Sequence, residues 1–424
     1  MLMFIISTLL AVAVILQKMY FLFIEGLSNM TILWSINILI YLIILIAGIY
    51  FFQKEYLSKK RKITIKVGKI GKLFFALSLI FISFSFIINY SNRILEWDTV
   101  ALFDARARFL LAGIKFSNMP LLSKFDPQNS YYYLLYPPYT SIIHFIWYKL
   151  GIGLPIGIYY SISYMIFGFA IYLMTKEELN KSAALMLTFL VLSYTAVFNS
   201  SILAYTNLPY SIQMFVGIFL LYKYLINNNK WPIFLGLLLI ASAQWIRILE
   251  PLWIGIFIAL FVTILKTKRQ KKELIYPIIF LFVSLFEYCL WNIFMKSSFV
   301  DSSKIVTFGI SRFIEPIIGI ISGSFINILI IFFKYWGIVA VVHLTALIIA
   351  LKNKSKMFFL GMVILFSSLI YFGGFYFVSF QTVWWDKLGD SLIRSSTFLL
   401  PISIFVIISN IINNKLLVKN RNQK

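Results

Sequence analysis

The charged side chains between residues 91 and 116 are of the types that acid–base chemistry and phosphate binding require. Charged residues make up only 12% of the 424 residues, yet they are concentrated in this stretch, which reads SNRILEWDTVALFDARARFLLAGIKF. Its charged members are Arg93, Glu96, Asp98, Asp104, Arg106, Arg108 and Lys115. A carboxylate can accept a proton from a hydroxyl group, and an arginine can bind a phosphate through two parallel hydrogen bonds.

The spacing of these residues also allows an interpretation without catalysis. If the segment is helical from Asp98 onward, Asp104 and Arg108 lie four residues apart on one face and can form an internal salt bridge. A solvated helix of this kind explains the charge pattern as well as a catalytic site does. The apolar run 73–90 just before it predicts a position at the membrane surface, where Asp98 stays hydrated enough to ionise and still reaches a lipid-anchored substrate.

The composition indicates a multi-pass membrane protein. With 61% hydrophobic and 18% aromatic residues and a mean hydropathy of +0.90, the chain has too little polar surface to cover a soluble globule. The single cysteine, Cys289, excludes an intrachain disulfide and a cysteine metal cluster. The net charge of +23 comes from short basic bursts between apolar runs, which argues for anionic lipid and against a nucleic-acid partner.

The hydropathy pattern predicts an all-α polytopic membrane protein with about twelve transmembrane helices. The predicted crossings are residues 2–17, 31–53, 72–90, 155–175, 182–198, 208–226, 232–248, 251–266, 275–294, 330–351, 357–378 and 394–412. Four basic segments are expected in the cytoplasm: 54–72, 266–272, 352–356 and the tail from Lys415. Residues 91–154 then form an external loop, and 313–329 are expected to lie on or dip into the outer leaflet.

A single transmembrane domain is predicted over residues 1–424. Its parts are 1–71 (N-terminal helices and a basic cytoplasmic loop), 91–154 (the catalytic extracytoplasmic loop), 155–412 (the helix bundle) and 413–424 (a cytoplasmic tail). The first apolar run lacks the basic start and small-residue cleavage site of a signal peptide, so a retained helix is expected. The sequence reveals no role for the two extra N-terminal helices.

The order of residues in the charged stretch resembles a known family. Trp97-Asp98-Thr99, followed by Phe103 and by Arg106-Ala107-Arg108, resembles the first external loop of bacterial GT-C-type glycosyltransferases. These enzymes are related in type to the protein O-mannosyltransferases and the lipid A aminoarabinose transferases. They are multi-helix membrane proteins that take a sugar from a polyprenyl phosphate. An acidic residue in that loop is used for the transfer. The resemblance implies a GT-C-like bundle with extracytoplasmic loop helices.

The resemblance also implies roles for residues of the loop. Asp98 is expected to be the general base, and Glu96 is expected to orient a metal ion or the acceptor. Asp104 is a competing catalytic carboxylate, although its spacing favours a salt bridge with Arg108. Three substrate-binding residues are expected in the loop: Trp97, Arg106 and Arg108.

Short elements elsewhere extend the resemblance along the chain. Further substrate-binding residues are expected at Tyr136, Asn207, Arg247, Glu250 and Arg394. Asn207 stands where similar enzymes carry an acid, so only a positioning role is expected of it. Arg247 and Glu250 are three residues apart and also fit a simple ion pair, and Arg394 could equally extend to lipid head groups.

The resemblance implies an inverting glycosyltransferase of the plasma membrane that acts on its extracytoplasmic face. Its donor is a polyprenyl-phosphate sugar, its acceptor is a glycan, lipid or protein of the cell envelope, and a divalent cation (Mg²⁺ or Mn²⁺) stays open as a cofactor with no metal ligand assigned.

Two other functions are alternatives to the glycosyltransferase. A flippase or transporter of lipid-linked saccharides should carry ionisable residues inside its crossings, where Glu287 is the one acid well inside. A polymerase or ligase should carry a large late external loop, and 295–329 is only moderate.

Overall fold

The computed structural model describes most of the chain, and every element in the described part is helical. The described residues are 1–26, 30–56, 68–91, 99–119, 136–248, 251–267, 271–298, 324–352, 357–380 and 389–421. Helix accounts for 85% of the structure, so the all-α prediction is confirmed. Four of the predicted site residues lie outside the described residues: Glu96, Trp97, Asp98 and Glu250.

The helices form two compact units. In chain order they are α1 (Leu2–Glu25), α2 (Thr31–Tyr56), α3 (Lys69–Ser91), α4 (Ala105–Leu111), α5 (Tyr139–Lys149), α6 (Gly157–Thr175), α7 (Lys181–Leu192), α8 (Thr195–Ser200), α9 (Asn207–Asn227), α10 (Trp231–Ala243), α11 (Leu252–Lys266), α12 (Ile275–Ser298), α13 (Ser324–Trp336), α14 (Ile338–Lys352), α15 (Phe358–Ser379), α16 (Gly389–Ser395) and α17 (Leu399–Arg421). The first unit comprises Met1–Leu249 and Lys272–Val300, and the second comprises Glu250–Lys271 and Asp301–Lys424. Most predicted site residues belong to the first unit.

Within the described residues, seven helices are long and apolar enough to cross a membrane. They are α1, α2, α3, α6, α9, α12 and α15, and the count becomes eight if α13 and α14, which meet at a bend of 96°, form one crossing. Four other predicted crossings fold as shorter apolar helices. Helix α7, for example, has 12 residues, which span only about 18 Å of a hydrocarbon core roughly 30 Å thick. The multi-pass class in a lipid bilayer is therefore confirmed, whereas a bundle of about 12 crossings is not.

Two helix boundaries differ from the prediction for physical reasons. Helix α1 continues past residue 17 to Glu25, because Lys18 is buried against Glu287 of α12 and does not have to leave the membrane. The predicted crossing 330–351 is divided at Gly337, whose φ of 49° is a left-handed conformation that glycine adopts readily. Residues 313–323, at the start of the predicted interfacial helix, lie outside the described part.

Helices α9 and α10 pack closely through two glycines. A Cβ atom at Gly217 would lie 2.6 Å from the Ile240 side chain, and one at Gly236 would lie 2.9 Å from the Gly217 carbonyl oxygen. Larger residues would push the two helices apart, since helix interfaces are close-packed. This contact brings the start of α9 beside the turn that follows α10, and so positions Asn207 next to Arg247.

Several polar contacts of the first unit lie at the two opposite ends of its long helices. At the end that we call the site end, the contacts are Glu25–Phe116, Thr99–Leu203, Arg106–Tyr136 and Asn207–Arg247. At the far end they are Glu55–Lys230, Tyr224–Glu273 and Lys223 with Glu177 and Glu178. Because α1 has 24 residues, the two ends lie about 36 Å apart. The described site residues of this unit therefore share one end of the bundle.

Candidate functional site

The loop segment that follows Asp98 is held against the bundle at its first described residue. Thr99 Oγ1 donates a hydrogen bond to the Leu203 carbonyl oxygen at 2.6 Å. Thr99–Asp104 form one π-helical turn that continues directly into α4. A small apolar cluster buries this turn, and its members are Leu102, Phe103 and Tyr205, with Tyr136 and Leu203 packed against them. The start of the segment is therefore fixed beside the residues that lead into α9.

Two buried arginines meet at Tyr136. Arg106 on α4 is only 2% exposed, and its Nη1 donates a hydrogen bond to the Tyr136 carbonyl oxygen at 3.0 Å. Arg247, in the turn after α10, is 8% exposed, and its guanidinium carbon lies 5.8 Å from the centre of the Tyr136 ring. Arg247 Nη1 also donates to Asn207 Oδ1 at 2.7 Å. The fold thus brings together four residues that the sequence predicts to bind substrate.

The contacts of the two guanidinium groups include neutral partners. Arg106 is held by a backbone carbonyl and by the Phe116 ring, whose centre lies 4.9 Å from the guanidinium carbon. Arg247 is held by the amide oxygen of Asn207. Buried positive charges attract an anion more strongly than exposed ones, and a guanidinium fork matches two phosphate oxygens. Guanidinium groups of this kind are able to bind a phosphate.

Asp104 lies on the same segment but belongs to a separate network. Its Oδ2 accepts a hydrogen bond from Arg108 Nε at 2.7 Å, as the four-residue spacing predicts. Its Oδ1 accepts one from the Tyr148 hydroxyl and lies 3.5 Å from His144 Nδ1, the outer limit of a hydrogen bond. His144 Nε2 lies 2.9 Å from the Tyr160 hydroxyl. The carboxylate therefore joins α4 to α5 and, through His144, to α6.

The network keeps Asp104 ionised. Burial raises the pKa of this carboxyl, but the nearby His144 and the hydrogen bonds from Tyr148 and Arg108 outweigh burial and hold the pKa well below its usual range. Burial, followed by the contact with Asp104, raises the pKa of Tyr148, and burial lowers the pKa of His144. A carboxylate with a depressed pKa is a weak proton acceptor. The geometry therefore favours a holding role for Asp104 over that of general base.

Asp104→Asn tests this role through its pH dependence. Because the folded-state pKa is lower than the value of about 3.9 for an unfolded aspartate, the stabilisation is fully present above that value and is lost only as the pH falls through the folded-state pKa. We expect the variant to lower the free energy of unfolding by about 1–3 kcal/mol, equally between pH 6 and 8, and to reduce activity only partly. Thermal unfolding of the purified protein across this range measures the difference.

The control for this prediction is Arg108→Ala. The Arg108 side chain is 70% exposed, so its replacement should have a smaller effect than that of Asp104. A stability difference for Asp104→Asn that changed steadily between pH 8 and pH 6 would contradict the low pKa of Asp104.

The site end also contains residues that are not predicted from the sequence as site residues: His144, Tyr148 and Glu25. His144 and Tyr148 are four residues apart on α5, and this helical spacing is the signal that could have paired them. The Glu25 carboxylate accepts hydrogen bonds from the backbone amides of Phe116 and Ser117 at 2.6 and 3.2 Å. No local pattern connects residue 25 with residue 116, so this contact could not be predicted from spacing.

Arg394 belongs to the second unit. It lies near the end of α16 and is half-buried, and Tyr371 donates a hydrogen bond to the carbonyl oxygen of the next residue, Ser395, at 2.8 Å. Its contact with a donor phosphate stays a prediction. Glu250 lies outside the described residues, so the ion pair between Arg247 and Glu250 stays a prediction as well.

The fold defines a multi-pass helical membrane protein with a pair of buried arginines at one end of its first unit. No protein-family model, curated protein or solved structure matches the chain. Among the described residues, no group of three or more histidine, cysteine, aspartate or glutamate side chains fits a metal ion. The residues of the site end therefore carry the functional argument.

Proposed function

We propose that this protein is a membrane glycosyltransferase that moves a sugar from a polyprenyl phosphate to a cell-envelope acceptor on the extracytoplasmic face of the plasma membrane. The observation that supports the proposal is the meeting of the buried Arg106 and Arg247 at Tyr136, next to the segment that begins one residue after Asp98. Displacement of a phosphate-linked sugar needs a base and cations of this kind. The resemblance of the Trp97 to Arg108 run to GT-C-type enzymes supports the class of donor.

The proposed reaction is an inverting displacement. The acceptor hydroxyl oxygen attacks the anomeric carbon of the sugar, and Asp98 takes the hydroxyl proton. The bond between the anomeric carbon and the phosphate oxygen breaks, and its electron pair stays on the polyprenyl phosphate. Arg106 and Arg247 stabilise the negative charge that grows there.

The other candidate residues take supporting roles in this proposal. Tyr136 and Asn207 orient the two buried arginines, while Glu96 and Trp97 contact the acceptor or the sugar. Asp104 holds α4 against α5 through its contacts with Tyr148 and His144, and Arg108 pairs with Asp104. The proposed reaction assigns no residue to a divalent cation, which stays open as a cofactor.

A flippase for lipid-linked saccharides is the second candidate, and one observation favours it. Lys18 and Glu287 form an ion pair inside α1 and α12, with side-chain exposures of 0% and 1%. Ionisable residues within membrane-spanning helices frequently mark transport paths. A flippase moves the intact donor across the bilayer and releases no polyprenyl phosphate, which separates the two functions.

Release of polyprenyl phosphate is the deciding measurement. Membrane vesicles from cells that express the protein would receive a panel of radiolabelled polyprenyl-phosphate hexoses and pentoses. We expect label to move to an envelope fraction and polyprenyl phosphate to accumulate, and both to stop in Asp98→Asn vesicles. Movement of intact labelled donor across the bilayer without its cleavage would favour the flippase, and cleavage that continues in Asp98→Asn would reject the proposed base.

The proposal requires the site end to face outward. We expect Asp98→Cys and Arg394→Cys, each in a Cys289→Ser background, to react with a membrane-impermeant thiol reagent on intact cells. Lys60→Cys and Lys268→Cys should react only after the membrane is permeabilised, because basic loops stay in the cytoplasm. Protection at position 98 together with labelling at position 60 would reverse the topology and end the glycosyltransferase proposal.

A further inference from the structure

A fully buried ion pair joins the first two helices to α12. Lys18 of α1 pairs with Glu287, and the same Glu287 oxygen accepts hydrogen bonds from Asn37 at 2.9 Å and from Tyr41 at 3.0 Å, both on α2. Lys18 also donates to Asn37 Oδ1 at 2.8 Å and lies 4.1 Å from the centre of the Tyr41 ring. A buried charge persists in a bundle only when it is paired and hydrogen-bonded in this way. The network therefore fixes Lys18 in one position.

Lys18 also contacts the turn that contains Arg247. Its Nζ lies 5.3 Å from the ring centre of Trp245, a completely buried side chain two residues before Arg247. The neighbouring Gln244 donates a hydrogen bond to the Ser284 carbonyl oxygen on α12 at 3.0 Å. A cation–π contact requires the cation to lie over the ring, so Lys18 holds the indole. The contact therefore ties α1 to the turn that carries Arg247.

The C-terminal end of α1 holds Phe116, the aromatic residue that contacts Arg106. Glu25 accepts hydrogen bonds from the amides of Phe116 and Ser117, and Lys115 Nζ donates to the Glu25 carbonyl oxygen at 3.0 Å. Hydrogen bonds to a charged carboxylate are roughly twice as strong as neutral ones. They therefore fix the buried Phe116 ring, which lies 4.9 Å from the Arg106 guanidinium carbon.

We infer that α1 positions both arginines of the proposed phosphate site. The contacts of Lys18 lead through Trp245 to Arg247. The contacts of Glu25 lead through the Phe116 ring to Arg106. Lys18 and Glu25 are positioning residues, since each acts through another side chain. This role rests on the proposed function, and it assigns a purpose to the N-terminal helices. Because the two sets of contacts use different residues, each should affect its own arginine.

Binding of polyprenyl phosphate by the full chain in lipid nanodiscs tests the inference. We expect Glu25→Ala to weaken binding about 5- to 20-fold, and Lys18→Met combined with Glu287→Leu to do the same. The double replacement removes the ion pair without leaving an unpaired buried charge, so the fold should survive. Glu25→Ala should have no further effect in an Arg106→Ala background and keep its effect with Arg247→Ala. Lys18→Met combined with Glu287→Leu should have no further effect in an Arg247→Ala background and keep its effect with Arg106→Ala.

The far end of the bundle offers matched controls. Glu55→Ala removes a carboxylate that accepts a backbone hydrogen bond from Lys230 at 2.8 Å, and Lys223→Met removes a buried lysine that pairs with Glu177 and Glu178. Both should leave binding within about twofold of the wild type, because distant sites act independently. Equal weakening by the α1 variants in both arginine backgrounds would overturn the positioning role. Absence of binding by the wild-type protein would overturn the proposed function itself, and the inference with it.

Discussion

Asp98→Asn is expected to abolish measurable sugar transfer. General-base assistance contributes about 10²- to 10⁴-fold in rate, and asparagine keeps the shape of the side chain while it removes the base. Since the donor phosphate is assigned to the arginines, donor binding and the yield of folded protein should stay near wild type. Transfer from a radiolabelled polyprenyl-phosphate sugar and binding of the same donor, measured on one preparation, test both statements.

Glu96→Gln and Asp104→Asn are the comparisons that identify the base. Glu96→Gln should impair transfer through the acceptor, and Asp104→Asn should reduce it only partly, because Asp104 is already engaged by Arg108 and Tyr148. Transfer that persists in Asp98→Asn but disappears in either of the other two variants would show that the loop is catalytic and that another carboxylate is the base.

Arg247→Ala should produce the second large effect, as a rise in the KM for the donor. Hydrogen bonds to charged groups contribute about 1.5–3 kcal/mol, so the loss of the phosphate contact corresponds to an increase of about 10- to 150-fold. Arg247→Lys keeps the charge but loses the planar fork, and should lie between the wild type and the alanine variant. Steady-state kinetics across donor concentrations, with thermal unfolding as a check on folding, provide the measurement.

Arg108→Ala is the matched control for this prediction. Arg108 lies on the same loop helix as Arg106, but its exposed guanidinium pairs with Asp104. We therefore expect a much smaller change in the KM for the donor. An equal change in Arg108→Ala and Arg247→Ala would contradict the assignment of the phosphate site to the buried pair.

The Asp104–Arg108 ion pair shows what local spacing can predict. The two residues are four apart, and helix geometry alone puts such side chains on one face, so their contact follows once the segment is helical. The partner of Arg247 is a different case. Spacing predicts a pair with Glu250, which stays a prediction because Glu250 lies outside the described residues. The contact of Arg247 with Asn207, 40 residues earlier in the chain, has no such local signal. That contact depends on the close packing of α9 against α10.

The count of crossings shows a second limit of local information. Hydropathy identifies apolar segments, and each predicted crossing contains a helix in the described part of the chain. It does not determine where a helix ends or bends, because ends depend on caps and on packing partners. Thus α1 extends beyond its predicted end, and α7 and α10 stop too early to span a bilayer by themselves.

The sequence by itself determined the membrane class, the helical fold and the local ion pair, because composition and short-range periodicity act within single helices. It also selected Arg106, Tyr136, Asn207 and Arg247 as candidates through motif resemblance. Only the tertiary structure decided that these four meet, and that α1 contacts their supports. Lys18 and Glu287 are 269 residues apart, and Glu25 and Phe116 are 91 apart. Such pairs arise when helices pack and buried polar groups require partners, and no local pattern in the chain specifies which partner that will be.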